Sequence, residues 1–217
     1  MRMRILIADD HGIVRQGLKS LIEHQSDMEV IGEAEDGRIA VELAKELCPD
    51  VVLMDISMPT LNGMEATRLI LQENKNIKVI ALSMHSDKHI VMEALEVGAS
   101  AYVLKSYLFD ELIRALEQVM QDGYYLSPRI TNVVIDDYVC KSRKNESTAK
   151  PKLTSRERQI AQLVAEGKTI KEIARILHIS SKTADANRRQ IMSKLNMSGV
   201  AELTKYALRE GLTSLEF

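Results

Sequence analysis

The most constraining feature of this sequence is a fivefold alternation between short β-rich runs and longer stretches with helical spacing. The runs are RILIA (4–8), MEVIG (28–32), DVVLM (50–54), IKVIALS (77–83) and AYVLK (101–105). Strands separated by helices of this length connect through right-handed crossovers, which predicts a parallel sheet with helices on both faces. We therefore expect the first part of the chain to be a doubly wound α/β domain with five strands.

After Tyr124 the β-type runs end and the pattern becomes helical. Apolar residues between 130 and 138 recur at helical intervals, which permits a linker helix over 128 to 140. The segment KSRKNESTAK (141–150) is polar and precedes Pro151, which predicts a flexible linker. The expected domains are therefore residues 1–123 and 151–217, with a linker at 124–150.

The C-terminal part contains four recognisable helix starts. Thr154 with Glu157, and Thr169 with Glu172, match the capping box, in which a hydroxyl and a carboxylate bond each other's helix-start amides. Serines at 180 or 181 and at 198 can cap two further helices, the last of which should end before Gly211. These signals predict a compact all-α domain of four helices.

Charge divides the chain in the same way. Residues 1 to 125 carry 12 Lys and Arg against 21 Asp and Glu, whereas residues 126 to 217 carry 17 against 10. This asymmetry suggests that the acidic half binds cations and that the basic half binds a polyanion.

Cysteine usage and hydropathy indicate the compartment. Cys48 and Cys140 form no disulfide or zinc pattern, which favours a reducing cytosol. No apolar run approaches the length needed to cross a bilayer. We expect a soluble cytoplasmic protein without a membrane partner.

Polar residues with shared chemistry end the predicted strands. Asp9 and Asp10 end the first strand, Asp55 the third, Ser83 the fourth and Lys105 the fifth. Ligands of a doubly wound sheet bind beyond these carboxyl ends. Three carboxylates at one edge repel each other unless a cation lies among them, and oxygen ligands suit Mg²⁺.

With these residues, the segment DISMPTLNG (55–63), and Tyr102, the first 123 residues resemble a response-regulator receiver domain, which has a flavodoxin-like sheet of order 2-1-3-4-5. The resemblance implies that Asp55 accepts a phosphoryl group from a sensor histidine kinase. It implies a Mg²⁺ site formed by Asp9, Asp10, Asp55 and the Ser57 carbonyl. It also implies that Lys105 and Ser83 bind the phosphoryl group and that Tyr102 rotates inward behind it. Pro59 and Gly63 would only shape the loop.

The histidines share no ligand spacing, so we interpret them as surface or packing residues. They are His11, His24, His85, His89 and His178.

Residues 153 to 210 resemble the LuxR-type helix-turn-helix of the NarL/FixJ class of regulators. The resemblance rests on LTSRERQIAQLVAEGKTIKEIARILHIS followed by SKTADANRRQIMSKL. In the third helix a buried stripe is expected at Ala184, Asn187, Ile191 and Leu195. The opposite face would enter the major groove of double-stranded DNA, with Asp185, Ala186 and Arg189 at base edges and other side chains near phosphates. The expected DNA contacts are Lys182, Thr183, Asp185, Ala186, Arg188 and Arg189.

The last helix carries an apolar stripe that we expect to be partly exposed. Its residues include Val200, Leu203 and Ala207. The resemblance implies that this stripe pairs two copies, giving a homodimer when the protein is phosphorylated or bound to DNA.

Together these features predict a two-component response regulator that acts as a transcription factor. It would not be a turnover enzyme, although it would lose its phosphoryl group slowly. One alternative is a flavin binder or phosphatase on the same fold, but such sites need phosphate-cradling loops, and residues 9 to 12 offer two carboxylates. A nearer alternative is a receiver regulated only by protein contacts, which loss of Mg²⁺ binding would favour.

Overall fold

The computed structural model describes residues 2–121, 123–143 and 153–213, and within 136–143 it describes the helix but not the side chains. The chain divides into two compact units, residues 1–145 and 146–217. Asp122 and most of the predicted flexible linker at 141–150 lie outside the described residues. The predicted domain limits at residues 123 and 151 stay predictions.

The first unit is a doubly wound parallel sheet, as predicted. Its strands are β1 (Met3–Ala8), β2 (Met28–Ala34), β3 (Val51–Asp55), β4 (Lys78–Ser83), β5 (Ala101–Leu104) and β6 (Tyr125–Leu126). Its helices are α1 (Gly12–Glu23), α2 (Gly37–Leu47), α3 (Gly63–Glu73), α4 (Lys88–Glu96), α5 (Leu108–Gln121) and α6 (Pro128–Arg143). The strand order is β2-β1-β3-β4-β5-β6, so the predicted order is confirmed and one strand is added.

Strand β6 is the difference from the expected five strands. It has only two residues, and Tyr125 and Leu126 pair with Ala101 and Tyr102 of the edge strand β5. A run this short has no periodicity of its own, so the sequence pattern does not reveal it. The sheet therefore continues past Tyr124, where the β-type runs were expected to end.

Alternating side chains of the strands fill two apolar layers. On one face, Ile5 and Ile7 of β1 pack with Leu18 of α1 and Leu112 of α5. On the other face, Leu6 and Ala8 pack with α2 and α3. Because both faces are covered, the strands read as nearly continuous apolar runs.

A third cluster joins α4, β5 and α6. It contains Tyr102 of β5, Ile90 and Val91 of α4, and Ile130 of α6, all at most 3% exposed. Helix α6 covers the stretch that was expected to be helical, begins at Pro128, and belongs to the first unit, where its first turns pack in this cluster.

The described part of the second unit, residues 153–213, consists of four helices around one core. They are α7 (Ser155–Ala165), α8 (Ile170–Ile176), α9 (Ser181–Lys194) and α10 (Val200–Arg209). Both predicted capping boxes are confirmed, at Thr154 with Glu157 and at Thr169 with Glu172. Ser180 caps α9, but Gly199 rather than Ser198 occupies the N-cap of α10.

The predicted inner stripe of α9 is only partly buried. Ala184 and Ile191 are fully buried between the helices, whereas Asn187 and Leu195 are half-buried. No helix in the described part of the chain is both long enough and apolar enough to cross a membrane.

Candidate functional site

The carboxyl edge of the sheet brings two aspartates and a lysine into contact. Lys105 Nζ lies 2.7 Å from Asp9 Oδ2 and 2.7 Å from Asp55 Oδ2. Asp9 and Asp55 are 0% and 1% exposed, so this contact is shielded from water. These three strand-end residues, predicted to converge, do lie together because β1, β3 and β5 end at the same edge.

The electrostatics of this contact favour a further cation. Burial raises the pKa of Asp55 to about 6, Lys105 opposes the rise, and the nearby charge of Asp9 adds to it. Burial alone would lower the pKa of Lys105, but the charges of Asp55 and Asp9 raise it above its ordinary value. One ammonium therefore serves two buried carboxylates, which leaves negative charge in excess.

Asp10 and His11 extend the cluster toward the surface. His11 Nδ1 lies 2.9 Å from Asp10 Oδ1 and 3.3 Å from Asp9 Oδ1. One ligand atom from each of Asp9, Asp10, His11 and Asp55 falls within 4.8 Å of the others. Asp9 Oδ2 and Asp10 Oδ1 are buried and receive no well-aligned hydrogen bond, although Lys105 Nζ and His11 Nδ1 lie close to them. Such oxygens suit a hard divalent ion.

The loop that follows β3 contacts Asp55 through a backbone amide and a closely packed glycine. Ser57 N donates to Asp55 Oδ1 at 3.1 Å. A Cβ at Gly63 would lie 2.0 Å from the Asp55 carbonyl oxygen, so only glycine allows α3 to begin this close to the site. Thr60, in the same loop, has φ of 67°, a strained value for a β-branched residue. The loop is thus shaped closely around Asp55, as expected for Gly63.

Ser83 and Tyr102 are linked through the backbone of His85. His85 N donates to Ser83 Oγ at 2.9 Å, and Tyr102 Oη donates to the His85 carbonyl at 2.7 Å. Both side chains are 0% exposed, and burial raises the pKa of Tyr102. Tyr102 already lies inside in this structure, so its inward rotation stays a prediction about a change between states.

The exposed face of α9 carries most of the predicted DNA contacts. Lys182, Thr183, Ala186 and Arg189 are exposed, whereas Asp185 and Arg188 are half-buried. Ser180 Oγ accepts a hydrogen bond from Thr183 N at 3.0 Å, which fixes the first turn. A basic face at a helix start can bind phosphate through both side chains and amides.

Comparison with known proteins agrees with both units. Residues 5–117 match the family described as response regulator receiver domain, and residues 151–207 match the bacterial regulatory proteins of the luxR family. This chain is a NarL/FixJ-class two-component response regulator. It therefore combines a receiver domain with a LuxR-type DNA-binding domain that regulates transcription.

Relatives of this response regulator match nearly its whole length. The transcriptional regulatory protein DegU of Brevibacillus brevis is 36% identical over 97% of this chain and 94% of its own. The oxygen regulatory protein NreC of Staphylococcus carnosus is 37% identical over 97% of this chain and 99% of its own.

Solved structures of response regulators are also similar. The RcsB response regulator of Salmonella typhimurium has a TM-score of 0.67 at 25% identity, over 96% of this chain and 98% of that one. A LuxR-family response regulator from Aurantimonas has a TM-score of 0.60 at 36% identity, over 64% of this chain and 99% of that one.

The predicted exposed stripe on α10 of this response regulator needs correction. Leu203 and Ala207 are 0% exposed and pack in the core of the second unit, so the expectation that they lie on the surface is wrong. They pack inward because α10 lies against α7 and closes the four-helix core. Val200 is 40% exposed and remains available on the surface.

The sequence interpretation also missed two features of the receiver. His11 is exposed at the surface, as interpreted, but its ring also lies beside the acidic cluster, which the sequence interpretation did not anticipate. Its position directly after Asp9 and Asp10 was the available signal. The second feature is Glu111 of α5, which accepts hydrogen bonds from Tyr125 and Ser127 and so fastens β6 and the start of α6. No local sequence pattern predicts that contact, because Glu111 lies 14 and 16 residues from its two partners.

Proposed function

We propose that Asp55 accepts a phosphoryl group from a sensor histidine kinase and that this event controls dimerisation and promoter binding. The observation that carries the proposal is the contact of Lys105 with both Asp55 and Asp9 inside the acidic cluster. The family membership supplies the reaction class. The kinase would be the phosphoryl donor, and DNA would be the target of the second domain.

In the proposed reaction, a carboxylate oxygen of Asp55 attacks the phosphorus atom of a phosphohistidine. The P–O bond forms as the P–N bond breaks, and the departing imidazole nitrogen keeps the electron pair and takes up a proton. Lys105 would exchange part of its contact with Asp55 for the arriving phosphoryl oxygens. Its buried ammonium would oppose the added negative charge.

The residues fit a resident Mg²⁺. Asp9, Asp10 and Asp55 supply oxygen ligands, and the Ser57 carbonyl would complete the set of protein ligands. When bound, the ion would offset the charge of the carboxylates and of the phosphoryl group. The buried oxygens of Asp9 and Asp10 that lack well-aligned hydrogen bonds support this assignment.

Signal transmission would begin at Ser83 and Tyr102. Ser83 would donate its hydroxyl proton to a phosphoryl oxygen, which would reorient the hydroxyl whose oxygen now accepts a hydrogen bond from His85 N. A shift of the His85 backbone would reach Tyr102, whose hydroxyl bonds the His85 carbonyl. Tyr102 shares its apolar cluster with Ile130 of α6, which supports a path toward the linker.

The second domain would read DNA through α9. Lys182, Thr183 and Arg188 would lie near phosphates, and Ala186 and Arg189 would lie near base edges. Solved RcsB structures with a promoter and with DNA support a DNA complex for this class. Val200 would contribute to pairing of two copies, and a solved structure of two RcsB dimers bound to two parallel DNAs supports dimers in this class. This work would take place in the cytoplasm, where bacterial DNA lies.

Phosphoryl incorporation from labelled acetyl phosphate tests the first step, because acetate can leave in place of imidazole. We expect Asp55→Asn to reduce labelling to background, and we expect EDTA to do the same to the unaltered protein. Asp27→Asn, an exposed aspartate before β2, is the matched control and should label normally. Normal labelling of Asp55→Asn would refute the phosphoacceptor. Normal labelling in EDTA would refute the Mg²⁺ requirement.

A further inference from the structure

Helix α9, which we propose binds DNA, carries an acidic residue whose carboxylate is already paired with two arginines. Asp185 Oδ1 accepts a hydrogen bond from Arg188 Nη2 at 2.7 Å, and Asp185 Oδ2 accepts one from Arg189 Nη2 at 2.5 Å. The arginines stand three and four residues further along the helix, so all three side chains lie on adjoining turns. Each carboxylate oxygen therefore has its own guanidinium partner.

This arrangement fits poorly with a direct contact between Asp185 and a base. The Asp185 side chain is 27% exposed, whereas that of Arg189 is 75% exposed, so the arginine extends further into solvent. A carboxylate at a DNA surface is also repelled by the phosphates. Cytosine could offer its amino group to an aspartate, but Asp185 would first have to release an arginine.

We infer that Asp185 is a positioning residue that lowers the binding of α9 to arbitrary DNA. Its carboxylate holds Arg188 and Arg189 in one orientation and occupies the guanidinium groups that phosphates would otherwise take. This inference rests on the proposed contact between α9 and DNA.

The physical consequence is a gain in specificity rather than in total affinity. A phosphate that meets either arginine must compete with a carboxylate already in place, and every DNA sequence presents that phosphate equally. A guanine edge needs an arginine in a defined orientation, which the ion pair helps to maintain. Asp185 would therefore penalise non-specific complexes more than correct ones, a form of discrimination that acts through repulsion.

The test measures binding of the full-length protein to a random-sequence duplex of about 24 base pairs, between about 50 and 200 mM salt. We expect Asp185→Asn to bind roughly three- to tenfold more tightly at low salt, with a slope of log K against log salt that is steeper by about 0.9. Asp185→Glu keeps the charge and should restore most of the original behaviour.

Glu210→Gln is the matched control. It removes one negative charge from the same unit, next to Arg209 and beyond the end of α10. It should change affinity for the random duplex by less than about twofold, since a single distant charge is largely screened. Equal effects of Asp185→Asn and Glu210→Gln would overturn the inference, because only net charge would then matter.

Two further variants separate this inference from the proposed DNA contact. Lys182→Gln and Arg189→Gln should both weaken binding to the random duplex. If neither does, α9 does not face DNA and the proposed contact fails together with the inference. A different result would separate the two. If Lys182→Gln and Arg189→Gln both weaken binding, the proposed DNA contact stands. If Asp185→Asn then changes the base preference in binding sites selected from random DNA but leaves the slope of log K against log salt unchanged, Asp185 contacts bases and only the inference fails.

Discussion

The paired charged side chains of the two units differ in their exposure to solvent. In the receiver, Asp9, Asp55 and Lys105 are buried together, and the lysine side chain is 10% exposed. In the DNA-binding unit, the paired charges lie at the surface, and the side chain of Arg189 is 75% exposed. Buried charges interact strongly and are costly to leave unpaired, whereas exposed charges are screened and contribute little to stability.

This difference suits the two proposed tasks. A receiver must respond to one added phosphoryl group. Its charges must therefore interact strongly, which they do in a buried site where the effective dielectric constant is low. A DNA-binding helix must bind and leave many sites, so its charges must be weakly held and sensitive to salt. Removing one partner of an ion pair should therefore cost more stability in the buried cluster of the first unit than at the surface of the second.

The largest expected effect is that of Lys105→Gln, which removes the single ammonium between two buried carboxylates. We expect the free energy of unfolding of the receiver to fall by about 3 kcal/mol in EDTA, as for other broken buried ion pairs. Hydrogen exchange of amides in β1 and β3 would measure it, because these central strands open only when the receiver unfolds.

Lys45→Gln provides the comparison within the same unit. Lys45 Nζ lies 3.5 Å from Glu73 Oε2, but the two side chains are 71% and 53% exposed. Its loss should cost less than about 0.5 kcal/mol, since exposed pairs contribute little. If Lys45→Gln cost as much as Lys105→Gln, burial would not be the source of the difference.

Ile191→Ala should give an effect of similar size, in the second unit. Ile191 is 0% exposed and packs at the centre of the four-helix core. Truncation removes buried methyl groups and leaves a cavity, so we expect a loss of about 2 to 4 kcal/mol. Exchange of amides in α7 and α9 would report it. Val200→Ala, at a residue 40% exposed, is the matched control and should change stability by less than about 0.5 kcal/mol.

Strand ends and helix starts could be predicted from sequence because local chemistry marks them. The convergence of Asp9, Asp55 and Lys105 follows from the carboxyl-end rule for parallel sheets. The capping boxes of α7 and α8 follow from residues only three positions apart. In both cases a short segment carries its own signal.

Features that depend on distant partners could not be predicted in this way. Strand β6 exists because β5 offers an unpaired edge, and two residues carry no periodicity. Leu203 and Ala207 were expected on the surface because the stripe of α10 does not show which part faces α7. The pairing of Asp185 with Arg188 and Arg189 was also missed, because Asp185 was placed at a base edge and a spacing of three and four residues does not by itself exclude that contact.

The smallest expected effect concerns Glu157, which is an exception to the contrast between the units. Glu157 Oε2 accepts hydrogen bonds from Thr154 N at 2.7 Å and from Lys194 Nζ at 2.7 Å, so one carboxylate caps α7 and ties it to α9. Burial alone would raise the pKa of Glu157, but the hydrogen bonds from Lys194 and Thr154 outweigh it and lower the pKa below the ordinary 4.5. We expect Glu157→Gln to cost roughly 1 kcal/mol at pH 7, as for a lost helix cap.

The pH dependence of this effect identifies its source. Because the folded pKa is lowered, the stabilisation is present in full above the unfolded pKa of about 4.5 and is lost as the pH falls through the lower folded value. The difference in unfolding free energy between the unaltered protein and Glu157→Gln should therefore shrink below pH 4.5, as measured by amide exchange in α7. Glu172→Gln removes the corresponding capping carboxylate of α8 and should cost less, because the pKa of Glu172 is lowered chiefly by hydrogen bonds from Thr169 and no lysine hydrogen bond contributes. A difference that stayed constant down to pH 3 would show that the charge of Glu157 does not contribute to the stability of the second unit.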